Sequence, residues 1–162
     1  MILGRSEILK RVKGENLLEQ FSANCLEGAG YDLRLGRAYR LKSGGFIGVK
    51  DRRTPDIEEI GLGTLALRPG EYVLVETLET VNMPKDLIAR ILPRSSVFRC
   101  GCSLMNAVVD AGFKGTLTLG LKNESEHEFS VERNAKIAQI VFEEVKGETK
   151  LYDGKYQGGK VV

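Results

Sequence analysis

Apolar residues recur at helical spacing only near the amino end. Ile8, Leu9 and Val12 form one stripe, with Ser6 placed as an N-cap and Gly14 as a stop, which predicts one short helix. Leu17, Leu18 and Phe21 then begin an extended segment, and the pattern changes to period two. Tyr31, Leu33 and Leu35 alternate with Asp32 and Arg34, which predicts a strand over 31–35 with its apolar face inward. A hairpin is predicted from 38–41 through a Ser43-Gly44-Gly45 turn into 46–49. Residues 50–61 are charged and contain Pro55, and read as a loop or irregular edge. Strands at 64–67 and 72–77 flank a Pro69-Gly70 turn, and Met83-Pro84-Lys85-Asp86 marks a second turn. Further strands are predicted at 87–92, 103–109, 116–121, 128–131 and 137–145. Many short strands, Gly/Pro turns and a single helix argue for an all-β sandwich or barrel.

Composition narrows the function classes. At 162 residues, with no internal repeat or linker, the chain is expected to form one domain spanning 1–162. A net charge of +2 carries no nucleic-acid footprint. No apolar run is long enough to span a bilayer. The apolar part of Met1-Ile2-Leu3-Gly4-Arg5 is too short for a signal peptide, so the expected location is cytoplasmic. Cys25, Cys100 and Cys102, with His127 as the only histidine, lack zinc-site spacing and read as reduced thiols.

Candidate chemistry concentrates between 93 and 123. Arg94, Ser95 and Ser96 suit anion binding. Asp110 is a lone carboxylate between the apolar run Ala107-Val108-Val109 and the turn residues Ala111 and Gly112, either a turn cap or a working group. Phe113 and Gly115 follow at short offsets. Along 116–121, Leu117, Leu119 and Leu121 share one face, and Thr116, Thr118 and Gly120 the other. The tail from Tyr152 to Lys160 is rich in Gly and Lys. It reads as a frayed terminus or as a lid over phosphates.

Pro93-Arg94-Ser95-Ser96, Asp110-Ala111-Gly112-Phe113-Lys114-Gly115 and Asn123 resemble central motifs of the dUTPase/dCTP deaminase superfamily. Gly30-Tyr31-Asp32-Leu33 upstream, Lys136-Ile137-Ala138-Gln139 and the tail motif Lys155-Tyr156-Gln157-Gly158 extend the likeness over nearly the whole chain. The amino-terminal helix and Arg94-Ser95-Ser96 followed by Arg99 are similar to the deaminase branch. The resemblance implies a distorted β-barrel, jelly-roll-like dUTPase fold with one short N-terminal helix, and a flexible lid at 150–162. It also implies a homotrimer with sites at subunit interfaces.

Deaminases of this family use a glutamate ten residues after the aspartate, and here that position is Gly120. The resemblance therefore implies dUTP hydrolysis, with Asp110 as base. Arg94, Ser95, Ser96, Arg99, Gln139, Tyr152 and Lys155 are the implied substrate contacts, and Asn106 the base reader. Phe113 is the gate against a 2′-hydroxyl, or a plain core residue. Asp32 is implied to hold Mg²⁺ through water. A dCTP deaminase, alone or coupled to dUTP hydrolysis, and a non-catalytic deoxynucleotide-binding protein remain alternatives. Glu124 and Glu126 lie beyond the strand end and read as a solvated loop.

Overall fold

The computed structural model describes residues 1–61 and 63–162. Helix α1 runs Arg5–Glu15 and buries Ile8 completely, with Leu9 and Val12 packed against the core. Ser6 is not its cap: the helix begins at Arg5, Gly4 takes the N-cap position two residues before Ser6, and Ser6 lies inside the first turn. The chain leaves α1 at Asn16, whose left-handed φ of 53° lets its N–H return to Arg11 O.

Eleven strands follow among the described residues: β1 Tyr31–Leu41, β2 Phe46–Ile47, β3 Arg52–Arg53, β4 Ile57–Ile60, β5 Thr64–Leu67, β6 Tyr72–Asn82, β7 Leu87–Pro93, β8 Cys102–Met105, β9 Lys114–Asn123, β10 Phe129–Glu132 and β11 Lys136–Glu144. A seven-stranded sheet runs β7-β11-β1-β6-β9-β8, with β4 added to β1. The chain after β8 returns to the opposite end of that sheet, where Val109 and Ala89 exchange both backbone hydrogen bonds at 2.8 and 2.9 Å. The sheet is thereby nearly closed into the expected all-β barrel. Its inside is filled by the alternating residues the pattern marked: Tyr31, Leu33 and Leu35 are fully buried, as are Val75, Leu121 and Phe142.

Several local expectations are corrected. Residues 38–41 pair with β4 rather than with 46–47, so part of the presumed loop at 50–61 is a strand. Its signal is weak because Glu58 and Glu59 sit between Ile57 and Ile60 and all four are at least partly exposed. β5 pairs with β10, so the Pro69-Gly70 turn does not join a hairpin. Residues 107–109 are loop with one bridge, not strand. A second short helix, α2, spans Ser95–Arg99, and a 3₁₀ turn spans Ala23–Cys25. Cys25, Cys100 and Cys102 are free thiols, and no described helix is long and apolar enough to cross a membrane.

Arg11 fastens α1 to the turn before β7. Its Nη2 donates to Asp86 Oδ2 at 2.6 Å and its Nη1 donates to Glu15. The Arg11 guanidinium holds the Asp86 carboxyl below its usual range. That stability is therefore complete above the ordinary carboxylate pKa and is lost as pH falls through the lowered one. Because Asp86 is half exposed, Asp86→Asn is expected to cost only about 0.5–1 kcal/mol at pH 7 in urea unfolding. The difference from the unaltered protein should shrink below about pH 4.

Candidate active site

Asp110 stands at the corner where the barrel closes. Phe113 N donates to Asp110 O at 3.2 Å across a β-turn, and Gly112 supplies the positive φ of 82° that the turn needs. Met83 clamps the turn from below, donating to Phe113 O and accepting from Gly112 N. Ala111 is buried and Asp110 is exposed. The turn is built by the Asp110 carbonyl, and among the described residues the carboxylate makes no hydrogen bond. A capping role is thus not what places an acid here.

The carboxylate borders a cavity of about 280 Å³ whose walls include Ile91, Val109, Phe113, Thr116, Thr118, Tyr152 and Tyr156. This is near the lower end for a small-molecule site, enough for a nucleoside rather than a whole triphosphate. Phe113 is 8% exposed and meets Tyr152 edge-on, ring centroids 5.5 Å apart. It is a core residue that also lines the cavity.

One face of β9 forms the floor. Thr116 Oγ1 donates to Glu76 Oε1 at 2.5 Å, and Glu76 Oε2 accepts from the Tyr39 hydroxyl at 2.8 Å. Burial and the Glu76 carboxylate push the Tyr39 phenol up. Thr118 Oγ1 is buried without a hydrogen-bond partner. At Gly120 a Cβ would lie 2.5 Å from the Tyr72 hydroxyl, so a side chain there must turn the Tyr72 ring away. Burial pushes the Tyr72 phenol up as well. Glu124 is exposed and paired with Lys122 at 3.0 Å, and neither it nor Glu126 lines the cavity.

The carboxyl-terminal segment lies against the same turn. Tyr152 N donates to Ala111 O and Gly158 N to Lys114 O, both at 2.8 Å. Gln157 uses both ends of its amide, accepting from Lys114 N at 2.9 Å and donating to Gly112 O at 3.0 Å. The backbones touch at Gly115, where a Cβ would overlap the Gly159 amide. Tyr152 therefore reaches the cavity, whereas Lys155 points elsewhere and donates to Thr54 Oγ1 at 2.9 Å.

The remaining expected contacts form a second group. Arg94 leaves the end of β7 and pairs with Asp32 Oδ2, which Lys136 Nζ also approaches at 3.2 Å. Both cations face that oxygen as ion pairs. Gln139 is the register partner of Asp32, and the bare Gly30 makes room for its side chain. Ser95 and Ser96 open α2 and are exposed. Arg99 lies over the Phe98 ring, 5.8 Å from its centroid. Asn106 turns back to Leu104 O at 3.4 Å. Neither these residues nor Arg94 lines the cavity. Lys136, Glu76, Thr118, Tyr72, Tyr156 and Gln157 take part in the two groups and were not singled out as contacts from the sequence.

Asp32 does not fit a magnesium ligand in this chain. It is 1% exposed and already faces two cations. Among the described residues no three acids, histidines or cysteines gather as a metal cage.

Residues 2–145 match the family model described as dCTP deaminase-like. The chain belongs to this family. It is 37% identical over 152 residues to the dCTP deaminase of Thermococcus kodakarensis, covering 93% of this chain and 90% of that protein. It is 29% identical over 164 residues to the "Probable deoxyuridine 5'-triphosphate nucleotidohydrolase" of Archaeoglobus fulgidus, covering 99% and 98%. The solved dCTP deaminase of Agrobacterium tumefaciens superimposes with a TM-score of 0.70 at 24% identity, over 87% of this chain and 47% of that one. The chain thus spans about half of that longer protein. Relatives in this deaminase-like family are enzymes carrying one or the other of these two names.

Proposed function

We propose that this protein hydrolyses dUTP to dUMP and pyrophosphate. The observation that supports this best is the distribution of acids around the cavity. An exposed, uncommitted carboxylate, Asp110, stands at its edge, while the β9 face that would carry a deaminase's glutamate offers Thr116, Thr118 and Gly120. Glu76 lies behind Thr116 with both oxygens occupied.

In this reading Asp110 accepts a proton from water as the water oxygen attacks the α-phosphorus in line. The bond from that phosphorus to the α–β bridging oxygen breaks, and pyrophosphate leaves with the electron pair. Phe113 packs against the sugar and leaves a 2′-hydroxyl without room or partner. Tyr152 and the rest of 150–162 close over the bound nucleotide as a lid, and Lys155 exchanges its bond to Thr54 for the phosphates. Arg94, Ser95, Ser96, Arg99 and Gln139 offset the phosphate charge. They lie apart from the cavity on the same chain, so we assign them to the cavity of a neighbouring copy in a homotrimer. Magnesium enters this proposal only as the counter-ion that a triphosphate brings with it, with no residue of this chain assigned to it.

The test is incubation with dUTP and with dCTP, products resolved by chromatography, alongside light scattering for the trimer. Pyrophosphate and dUMP from dUTP, with dCTP left intact, is the expected result. Ammonia and dUTP from dCTP would favour the deaminase named among its relatives. Binding without turnover would favour a non-catalytic deoxynucleotide-binding protein.

A further inference from the structure

We infer that each lid closes over the site of its own chain and that Gln157 is the residue that fastens it there. Asp110 and the lid above it then always come from one copy, while the phosphate contacts come from its neighbour. The inference rests on the dUTP reading above, in which residues 150–162 form the lid.

The tail departs from and lands on the same support. β11 ends at Glu144, and the next residue, Val145, donates its N–H to Asp86 O at 2.9 Å. At the other end of the same turn, Met83 donates to Phe113 O and accepts from Gly112 N. The turn from Met83 to Asp86 thus fixes both the tail's point of departure and the turn that carries Asp110. From Val145 to Tyr152 the chain reaches at most about 25 Å even when fully extended. Its own Asp110 turn lies within that reach, because Tyr152 N already donates to Ala111 O. A neighbour's turn could receive the tail only by coming as close to Asp86 and displacing the one held there.

The landing surface also fits this segment. The Asp110 turn shows bare backbone where the tail crosses it: a Cβ on Gly112 would lie 3.0 Å from Leu151 Cβ, and one on Gly115 would overlap Gly159 N. Gln157 accepts from Lys114 N and donates to Gly112 O, while Gly158 N donates to Lys114 O. The tail thereby meets both backbone groups of Lys114, which would otherwise turn to water. On the far side, the β2–β3 hairpin and the residue after it hold the lid through Arg52 over the Tyr156 ring and Thr54 beneath Lys155.

The first experiment reads ownership without turnover. Thr54→Cys and Lys155→Cys are combined with Cys100→Ser, which removes the one exposed native thiol, and are bridged with a short bismaleimide. A product of one chain's size on a denaturing gel is expected. A product of two chains' size, or no bridge at all, would overturn the inference. Adding Gln157→Ala should slow bridging by about fivefold, and an unchanged rate would overturn the role of Gln157. The second experiment pairs an Asp110→Asn chain that keeps its tail with an otherwise unaltered chain that ends at Lys150. The two are refolded together. The mixture should release pyrophosphate from dUTP within about twofold of the parents' mean rate, because every intact Asp110 lacks its lid. A gain of more than about tenfold would show lids crossing between copies and overturn the inference. If the unaltered protein releases no pyrophosphate from dUTP, the diphosphatase reading fails by itself, and the bridging products still decide which chain owns the lid.

Discussion

Asp110→Asn is expected to lower kcat for pyrophosphate release from dUTP by about a thousandfold, with KM changed less than about threefold. Asparagine keeps the size of the side chain and can still accept a hydrogen bond through its oxygen. It cannot take a proton from the attacking water. The fold should be indifferent to the change, because the turn is closed by the Asp110 carbonyl and clamped by Met83, while the side chain stays exposed. Circular dichroism and the urea midpoint should match the unaltered protein within about 0.5 kcal/mol. Calorimetry with a non-hydrolysable dUTP analogue should show binding largely kept. A variant that bound and turned over dUTP at the original rate would place the base elsewhere. Glu76 would be examined next, since its carboxylate lies one hydroxyl behind the cavity floor.

The barrel was legible because burial here follows simple alternation. Tyr31, Leu33 and Leu35 could be assigned to the interior from spacing alone, and the structure buries all three completely. Pairing was less legible. Residues 38–41 have two possible partners downstream, and the turn residues at 43–45 favour the nearer one. The choice of β4 rests on cross-strand contacts such as Leu41 with Ile57, which no local pattern records. Asp110 drew notice as a lone carboxylate beside the apolar run at 107–109, and Gly112, Phe113 and Gly115 at motif spacing favoured a working group over a turn cap.

The other half of the site was harder to read, because its residues act through contacts distant in sequence. Glu76 alternates like any outward residue of a strand. Its burial comes from Tyr39 on β1 and Thr116 on β9, the two strands flanking β6. Lys136 looks like a surface lysine until β11 is laid beside β1 and brings it to Asp32. Asp32 itself reads as an outward polar residue, yet the same pairing makes it almost inaccessible. Gly120 is a further case. The sequence shows only that a side chain is absent, while the structure shows that the Tyr72 phenol has taken the space.

The largest expected effect on stability belongs to Glu79, a fully buried carboxylate outside the cavity. It sits where two irregularities meet: the β6·β9 register shifts between Glu76 and Thr80, and the β1·β11 register shifts between Leu33 and Arg34. Such shifts leave backbone groups without a ladder partner. Glu79 supplies one, accepting from Arg34 N at 2.9 Å through Oε2. Its Oε1 accepts from Arg34 Nε at 2.6 Å and from the Tyr31 hydroxyl at 3.2 Å. Tyr31 in turn receives Ser22 N at 3.0 Å, so the carboxylate ties the segment after α1 to both strands. Glu79→Ala leaves a largely buried guanidinium, a backbone N–H and a phenol without their acceptor. Urea unfolding followed by circular dichroism, at one fixed protein concentration, should show a loss of about 3–5 kcal/mol. Glu79→Gln should lose less, about 1–3 kcal/mol, since its carbonyl can serve one donor while its NH₂ meets the others. Equal losses in the two variants would mean that the carboxylate acts through charge alone. A loss under about 1 kcal/mol in both would mean that water takes over the bulge and that Glu79 does not hold β1 to β6.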